Sequence, residues 1–372
     1  MLSWALDRAG LEIDALTKRF PRIHAWERGE SQPTLKQLEQ FAKATHTPVG
    51  YLFLSAPPVE RVPIPDLRTI GPNRVSQPSP HLLDTIYVCQ QRQEWYREFA
   101  RLTRAEPVGY VGSVHPSADP VTTAANIRAT IGFDLDQQRK AGTWTDALRS
   151  FISHADEAGI LVMCNGVVGN NNHRRLDPDE FRGFAMADDM APLVFINGAD
   201  SKAAQMFTLA HELAHIWLGQ SALSDVEALV TPDQEIERWC NRVAAELLVP
   251  MAELQQLHDA SAPITDEVQK LARAFKVSSL VMLRRLHEAG LLTREATRHA
   301  YNDELDRLGQ IPKSSGGSFY LTQAARVSKR FARALVVSTL EGQTLHRDAF
   351  RLLGFSKLET FKELGRSLGV AA

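Results

Sequence analysis

Five residues, His211-Glu212-Leu213-Ala214-His215, constrain the fold of this chain more than any other stretch. Histidines four apart stand one above the other on a helix face, so a helix lets both imidazoles reach one metal ion while Glu212 points into the same space. This is the H-E-x-x-H spacing of zinc peptidases. The chemistry asks for neutral nitrogen ligands that leave one coordination position for water, and for a carboxylate that takes the proton of that water. On this reading His211 and His215 hold Zn²⁺ and Glu212 is the general base. The alternative is a pair of histidines that merely cap or hydrogen-bond a buried helix. The flanks favour the metal, because Phe207, Leu209, Ala210, Leu213, Ala214, Ile216, Trp217 and Leu218 predict a helix buried nearly all round. Burying two imidazoles and a carboxylate there is costly without a partner such as a metal.

A third protein ligand is expected on the next helix, Glu235 to Leu248, which Pro250 terminates. Ala244, Ala245 and Leu248 share a face with Glu237 and Asn241, so Glu237 sits one turn above Asn241 and points inward with it. Glu237 is therefore the expected third ligand, and Asn241 the residue that steers a ligand imidazole by a hydrogen bond. Glu235 and Glu246 fall off this face and are expected in solvent; Glu227, in the preceding loop, is the reserve ligand.

The string Phe207 to His215, followed by Glu237-x-x-x-Asn241-x-x-Ala244-Ala245-Glu246-Leu247-Leu248-Val249-Pro250, resembles the ImmA/IrrE family of zinc metallopeptidases. The resemblance rests on two separated motifs that agree in content and order, and it extends over about residues 75 to 295. It implies a zincin-like α+β core with His211, His215 and Glu237 as zinc ligands and Glu212 as the catalytic residue. It also implies a protein substrate: a helix-turn-helix repressor or antitoxin-type regulator of a stress response, a mobile element or a toxin-antitoxin pair.

Composition fits a cytoplasmic protein. A net charge of -2 over 372 residues gives no global attraction to nucleic acid, although a local basic patch remains open. Cys89, Cys164 and Cys240 are few, odd in number and far apart, which argues against a disulfide framework and for a reducing compartment. No apolar run is long enough to span a bilayer, so no membrane partner is expected.

Residues 1–56 read as a compact helical unit with helices over Leu2–Gly10, Ile13–Phe20, Ile23–Arg28 and from Thr34 through Ala42. Trp26-Glu27-Arg28-Gly29-Glu30 with Gln32-Pro33-Thr34 resembles the tail of an XRE-type helix-turn-helix domain, but the spacing from Leu16 to Glu27 is about four residues short, which implies a shortened recognition helix. DNA contact through Lys18, Arg19, Arg22 and Arg28 and protein docking both remain open for this unit. Residues 57–80, punctuated by Pro57, Pro58, Pro63, Pro65, Pro72, Pro78 and Pro80, read as a linker or arm.

The peptidase core is assigned to residues 81–260. Short apolar runs at Ile160–Cys164, Gly183–Ala187 and Pro192–Asn197 predict a small antiparallel sheet just before the H-E-x-x-H helix. An edge strand of such a sheet can pair with an extended peptide substrate. Val194, Phe195, Ile196 and Asn197 are the expected edge, with an interior strand as the alternative. Residues 261–295 have the length and serine-capped turn of a second helix-turn-helix-like element, with Arg284 and Arg285 as possible DNA contacts and packing as the other role. After a break at Pro312–Ser318, a helical extension completes the region 296–372. The reading as a whole is a zinc endopeptidase cutting a regulatory protein. The competing class is a DNA-binding regulator, or an antitoxin that neutralises its cognate toxin by contact without cutting.

Overall fold

The computed structural model describes residues 1–67, 78–224, 234–309 and 326–370. The chain divides into two compact units, Met1–Pro63 with Pro72–Tyr87, and Ile64–Gly71 with Val88–Ala372.

The first unit has helices α1 (Leu2–Ala9), α2 (Ile23–Glu27) and α3 (Leu35–Ala44), with 3₁₀ turns at Ile13–Leu16 and Val49–Phe53. Thr34 and Gln37 start α3 with a reciprocal capping box. Ala5, Leu6, Phe20, Ile23, Trp26 and Phe41 form the core of the unit. The helix expected over Ile13–Phe20 is only the 3₁₀ turn, because the chain bends after Leu16 to bring Phe20 into that core ahead of Pro21. Helix α2, at five residues, agrees to within one residue with the helix expected over Ile23–Arg28.

The second unit is mixed α+β. After α4 (Pro80–Leu102) come α5 (Pro120–Ile131), α6 (Leu135–Lys140) and α7 (Trp144–Glu157), then β1 (Leu161–Asn165), β2 (Gly183–Met186) and β3 (Leu193–Asn197). The H-E-x-x-H segment lies in α8 (Lys202–Leu218), followed by β4 (Ala222–Ser224), α9 (Glu235–Leu248), α10 (Met251–Leu257), α11 (Ile264–Phe275), α12 (Ser279–Glu288) and α13 (Arg294–Gly309). The last helices described are α14 (Lys329–Leu340), α15 (His346–Leu353) and α16 (Leu358–Ser367). The break expected at Pro312–Ser318 and the reserve ligand Glu227 lie outside the described residues.

The sheet order is β1-β3-β2-β4. This departs from the expected antiparallel sheet: β1 runs parallel to β3, with Val162 opposite Val194, whereas β2 is antiparallel to both β3 and β4. It also overturns the edge expected at Val194–Asn197, since β3 is hydrogen-bonded on both sides and all five of its residues are buried. The sequence carries the reason. Leu-Val-Phe-Ile is apolar without alternation, as suits a strand covered on both faces. Asn197 closes the strand instead of facing a ligand: its Nδ2 donates to Phe181 O at 3.0 Å and its Oδ1 accepts from Ala199 N at 3.0 Å.

Helix α8 is defined at both ends. The Ser201 side chain accepts from Ala204 N at 3.2 Å, and Gly219 leaves the helix at φ +68, a left-handed conformation that glycine adopts without strain. Between those ends α8 packs on the sheet and on α9, with Leu209, Leu213, Ile216, Trp217, Val243, Leu247 and Leu248 in one continuous core. Tyr110 stacks on Trp217 with ring centroids 4.5 Å apart, and the Trp217 indole donates to Asn126 Oδ1 at 2.9 Å. The C-terminus of α9 is capped from another helix: Arg128 Nη1 donates to Glu246 O at 2.7 Å and Leu247 O at 3.0 Å. A cation there complements the negative end of the helix dipole. The crossing of α8 and α9, on which the site depends, is thus fixed by apolar packing and by these bonds.

The C-terminal helices return to the same unit. Arg330 N donates to Asp156 Oδ2 at 2.8 Å, Arg92 Nε to Leu352 O at 2.9 Å, and Asn170 Nδ2 to Gly354 O at 2.7 Å. No helix among the described residues is long and apolar enough to cross a membrane.

Candidate metal centre

Two successive turns of α8 and the first turns of α9 bring three side chains to one point. His211 Nε2 lies 3.1 Å from His215 Nε2, and Glu237 reaches both, with Oε2 3.2 Å from His211 Nε2 and Oε1 3.1 Å from His215 Nε2. One potential ligand atom from each of the three residues lies within 4.8 Å of the others. Both histidines are 0% exposed and Glu237 is 2% exposed, so these groups gather away from bulk water. Two ring nitrogens and a carboxylate oxygen suit Zn²⁺ as a donor set.

One of the two imidazoles is aimed by a hydrogen bond. His211 Nδ1 lies 3.0 Å from Asn241 Oδ1, and the amide oxygen can only accept, so the proton sits on Nδ1 and the Nε2 lone pair faces the cluster. His215 Nδ1 is buried without a hydrogen-bond partner among the described residues. Glu212 lies in the same helix between the two histidines, 0% exposed, and neither of its carboxylate oxygens has a hydrogen-bond partner among the described residues. Such a group needs an explanation, and a polar ligand beside it supplies one.

The site's electrostatics divide its two carboxylates. Burial pushes the Glu212 carboxyl up to about 8; the charge of His211 opposes this and that of Glu237 adds to it. Burial would also raise Glu237, but the charge and hydrogen bonding of His211, with those of His215, outweigh it and hold this carboxyl well below its ordinary range. Burial works against the charged form of both histidines; Glu237 overcomes it at His211, which is raised, and not at His215, which is lowered. Glu237 is thereby the anionic donor, and Glu212 is a carboxyl able to exchange a proton near neutrality.

The sheet approaches this centre through a glycine. A Cβ on Gly183 would lie 2.5 Å from Thr208 Cγ2, 2.9 Å from Phe195 O and 3.2 Å from Glu212 Oε1. Ser224, opposite Gly183 in the ladder, is fully buried, and its hydroxyl is near enough to favour ionised Glu212 without forming a well-directed hydrogen bond. Neither residue was singled out from the sequence. A glycine opening an apolar strand is a general signal of close approach, whereas Ser224 sits in a three-residue strand with no periodicity to read.

Residues 155–287 match the family model of the peptidase M78 group. Its description is an IrrE N-terminal-like domain. The match supports a peptidase of the ImmA/IrrE type, and its span contains His211, Glu212, His215, Glu237 and Asn241. A second match, to a domain of unknown function designated DUF8813, covers residues 327–367. Comparison with curated proteins finds no match.

The remaining expected contacts lie elsewhere. Arg285 is 5% exposed, so it does not present itself to a phosphate: Nε donates to Val249 O at 2.9 Å, Nη1 meets Glu288 at 3.1 Å, and Nη2 pairs with Glu246. This also corrects Glu246, expected in solvent and found buried as the partner of Arg285. The Arg lies three helices further along the chain, so the sequence offers no local sign of the pair. Arg284 pairs with Glu288 at 3.0 Å on the same helix. In the first unit Lys18, Arg19, Arg22 and Arg28 are exposed, and Arg28 pairs with Glu30 at 2.7 Å.

Proposed function

We propose that this chain is a zinc-dependent endopeptidase with a zincin-like core. The observation that carries the reading is the convergence of two imidazole nitrogens and one carboxylate oxygen within 4.8 Å, beside a second buried carboxyl left without a partner. The donor set fits Zn²⁺ in content and burial, with His211, His215 and Glu237 as the residues that would hold it. Such an ion supplies Lewis acidity, acidifying a water and polarising a peptide carbonyl. The chain's own residues do the rest. Asn241 orients His211, Glu237 contributes the compensating negative charge, and Glu212 takes the proton of the attacking water and delivers it to the leaving amine.

The substrate we propose is a protein, in particular a helix-turn-helix repressor or an antitoxin-type regulator of a stress response, a mobile element or a toxin-antitoxin pair, cut in the cytoplasm. The exposed basic residues Lys18, Arg19, Arg22 and Arg28 favour a second reading, in which the chain binds DNA or a toxin without cutting. The test is cleavage of a quenched fluorogenic peptide mixture by zinc-loaded wild type and Glu212→Gln. The peptidase reading expects turnover in the wild type and none in the variant, with zinc content equal in both. Turnover that survives Glu212→Gln, or salt-sensitive DNA binding with no turnover in either protein, contradicts it.

A further inference from the structure

The sheet has two outer strands, β1 and β4, and β4 is the one beside Glu212, through Ser224 and its ladder partner Gly183. Its outer edge is already paired. Asp66 forms a parallel bridge with Leu223: Leu223 N donates to Pro65 O at 2.8 Å, and Leu67 N donates to Leu223 O at 3.0 Å. A segment from the proline-rich arm thus lies along the catalytic sheet as an added strand. Ile64, 9% exposed, anchors it at one end. By the alternation of a pleated strand, Pro65 and Leu67 share the face that carries Ser224, one strand spacing, about 4.8 Å, further out.

From this pairing we infer that Ile64–Leu67 is a built-in competitor for the peptide-binding edge of the sheet. An extended peptide substrate satisfies its backbone on a sheet edge, and β4 is the edge nearest Glu212, so substrate and arm require the same Leu223 N–H and C=O. The inference rests on the peptidase reading for the identity of the competing ligand. Among the described residues the arm's ladder is the two bonds to Leu223, and Pro65 has no N–H to extend it. A net contribution of about 1 kcal/mol for each such bond makes the arm displaceable by a longer complementary strand. The arm therefore sets a threshold for substrate: a partner must offer more backbone pairing than Ile64–Leu67 does.

The experiment uses the full chain, zinc-loaded and carrying Glu212→Gln so that a bound peptide survives. The probe is a fluorescein-labelled synthetic peptide with the sequence of residues 59–69, titrated by anisotropy. Leu67→Pro removes the donor to Leu223 O, and Ile64→Ser loosens the anchor while keeping both bonds. In each variant the probe is expected to bind about tenfold more tightly than in the parent, the equivalent of one to two such bonds, with faster hydrogen exchange at Leu223. Equal affinity in parent and both variants, or no binding in any, overturns the inference. Restoring Glu212 separates the two claims. Probe that binds tighter to Leu67→Pro but stays uncut leaves the competitor standing and removes the peptidase; probe cut equally well by wild type and Leu67→Pro does the reverse.

Discussion

Asn241 holds a single atom against His211, and that contact has a measurable worth. With Nδ1 of His211 donating to Asn241 Oδ1 at 3.0 Å, the ring is fixed in the tautomer and rotation that expose Nε2 to His215 and Glu237. Truncating Asn241 to Ala leaves a buried N–H without an acceptor and frees the ring to take the other tautomer. Partners of this kind are worth about 10- to 100-fold in metal affinity, or about 1.4 to 2.7 kcal/mol. His215 gives an internal contrast, because its Nδ1 has no such partner among the described residues. The loss in Asn241→Ala should therefore be uncompensated by the second histidine. The assay is competition for Zn²⁺ against a chromophoric chelator, with Asn241→Asp as a control that keeps an acceptor in place. Affinity unchanged in Asn241→Ala, or lost equally in Asn241→Asp, would refute the orienting role.

Gly183→Ala places a methyl against Thr208 Cγ2, Phe195 O and Glu212 Oε1, so it should destabilise the protein by about 1–3 kcal/mol in urea unfolding and slow turnover while leaving zinc content intact; an unchanged midpoint would show that the sheet does not press on Glu212. Arg285→Ala strands Glu246 in the interior and should cost about 3–5 kcal/mol, whereas loss of the partly exposed Arg284–Glu288 pair in Glu288→Ala should cost less than that. Equal small losses would mean that the Arg285 pair is not structurally important.

Helical spacing made the centre legible. His211 and His215 needed only the period of one helix, and Glu237 and Asn241 only the period of the next, because each turn stacks its residues on a single face. What helical spacing could not give is which strand lies where. The run Leu193–Asn197 announces burial on both faces, but it does not say that β3 inserts between the two strands that precede it, parallel to one and antiparallel to the other, and β4 follows α8 as three residues with no pattern. The pairing of Pro65–Leu67 with β4 joins segments more than 150 residues apart, inside a stretch whose prolines spell only a linker. The Glu246–Arg285 pair was illegible for the same reason: a helix wheel assigns Glu246 to a face but does not say what covers that face.

The central claim, that His211, His215 and Glu237 form one metal site, is tested most directly by elemental analysis of the purified protein beside Glu237→Ala. The account predicts about one zinc per chain in the wild type and loss or severe weakening of that zinc in the variant. A wild type without zinc, or zinc unaffected by Glu237→Ala, would contradict it.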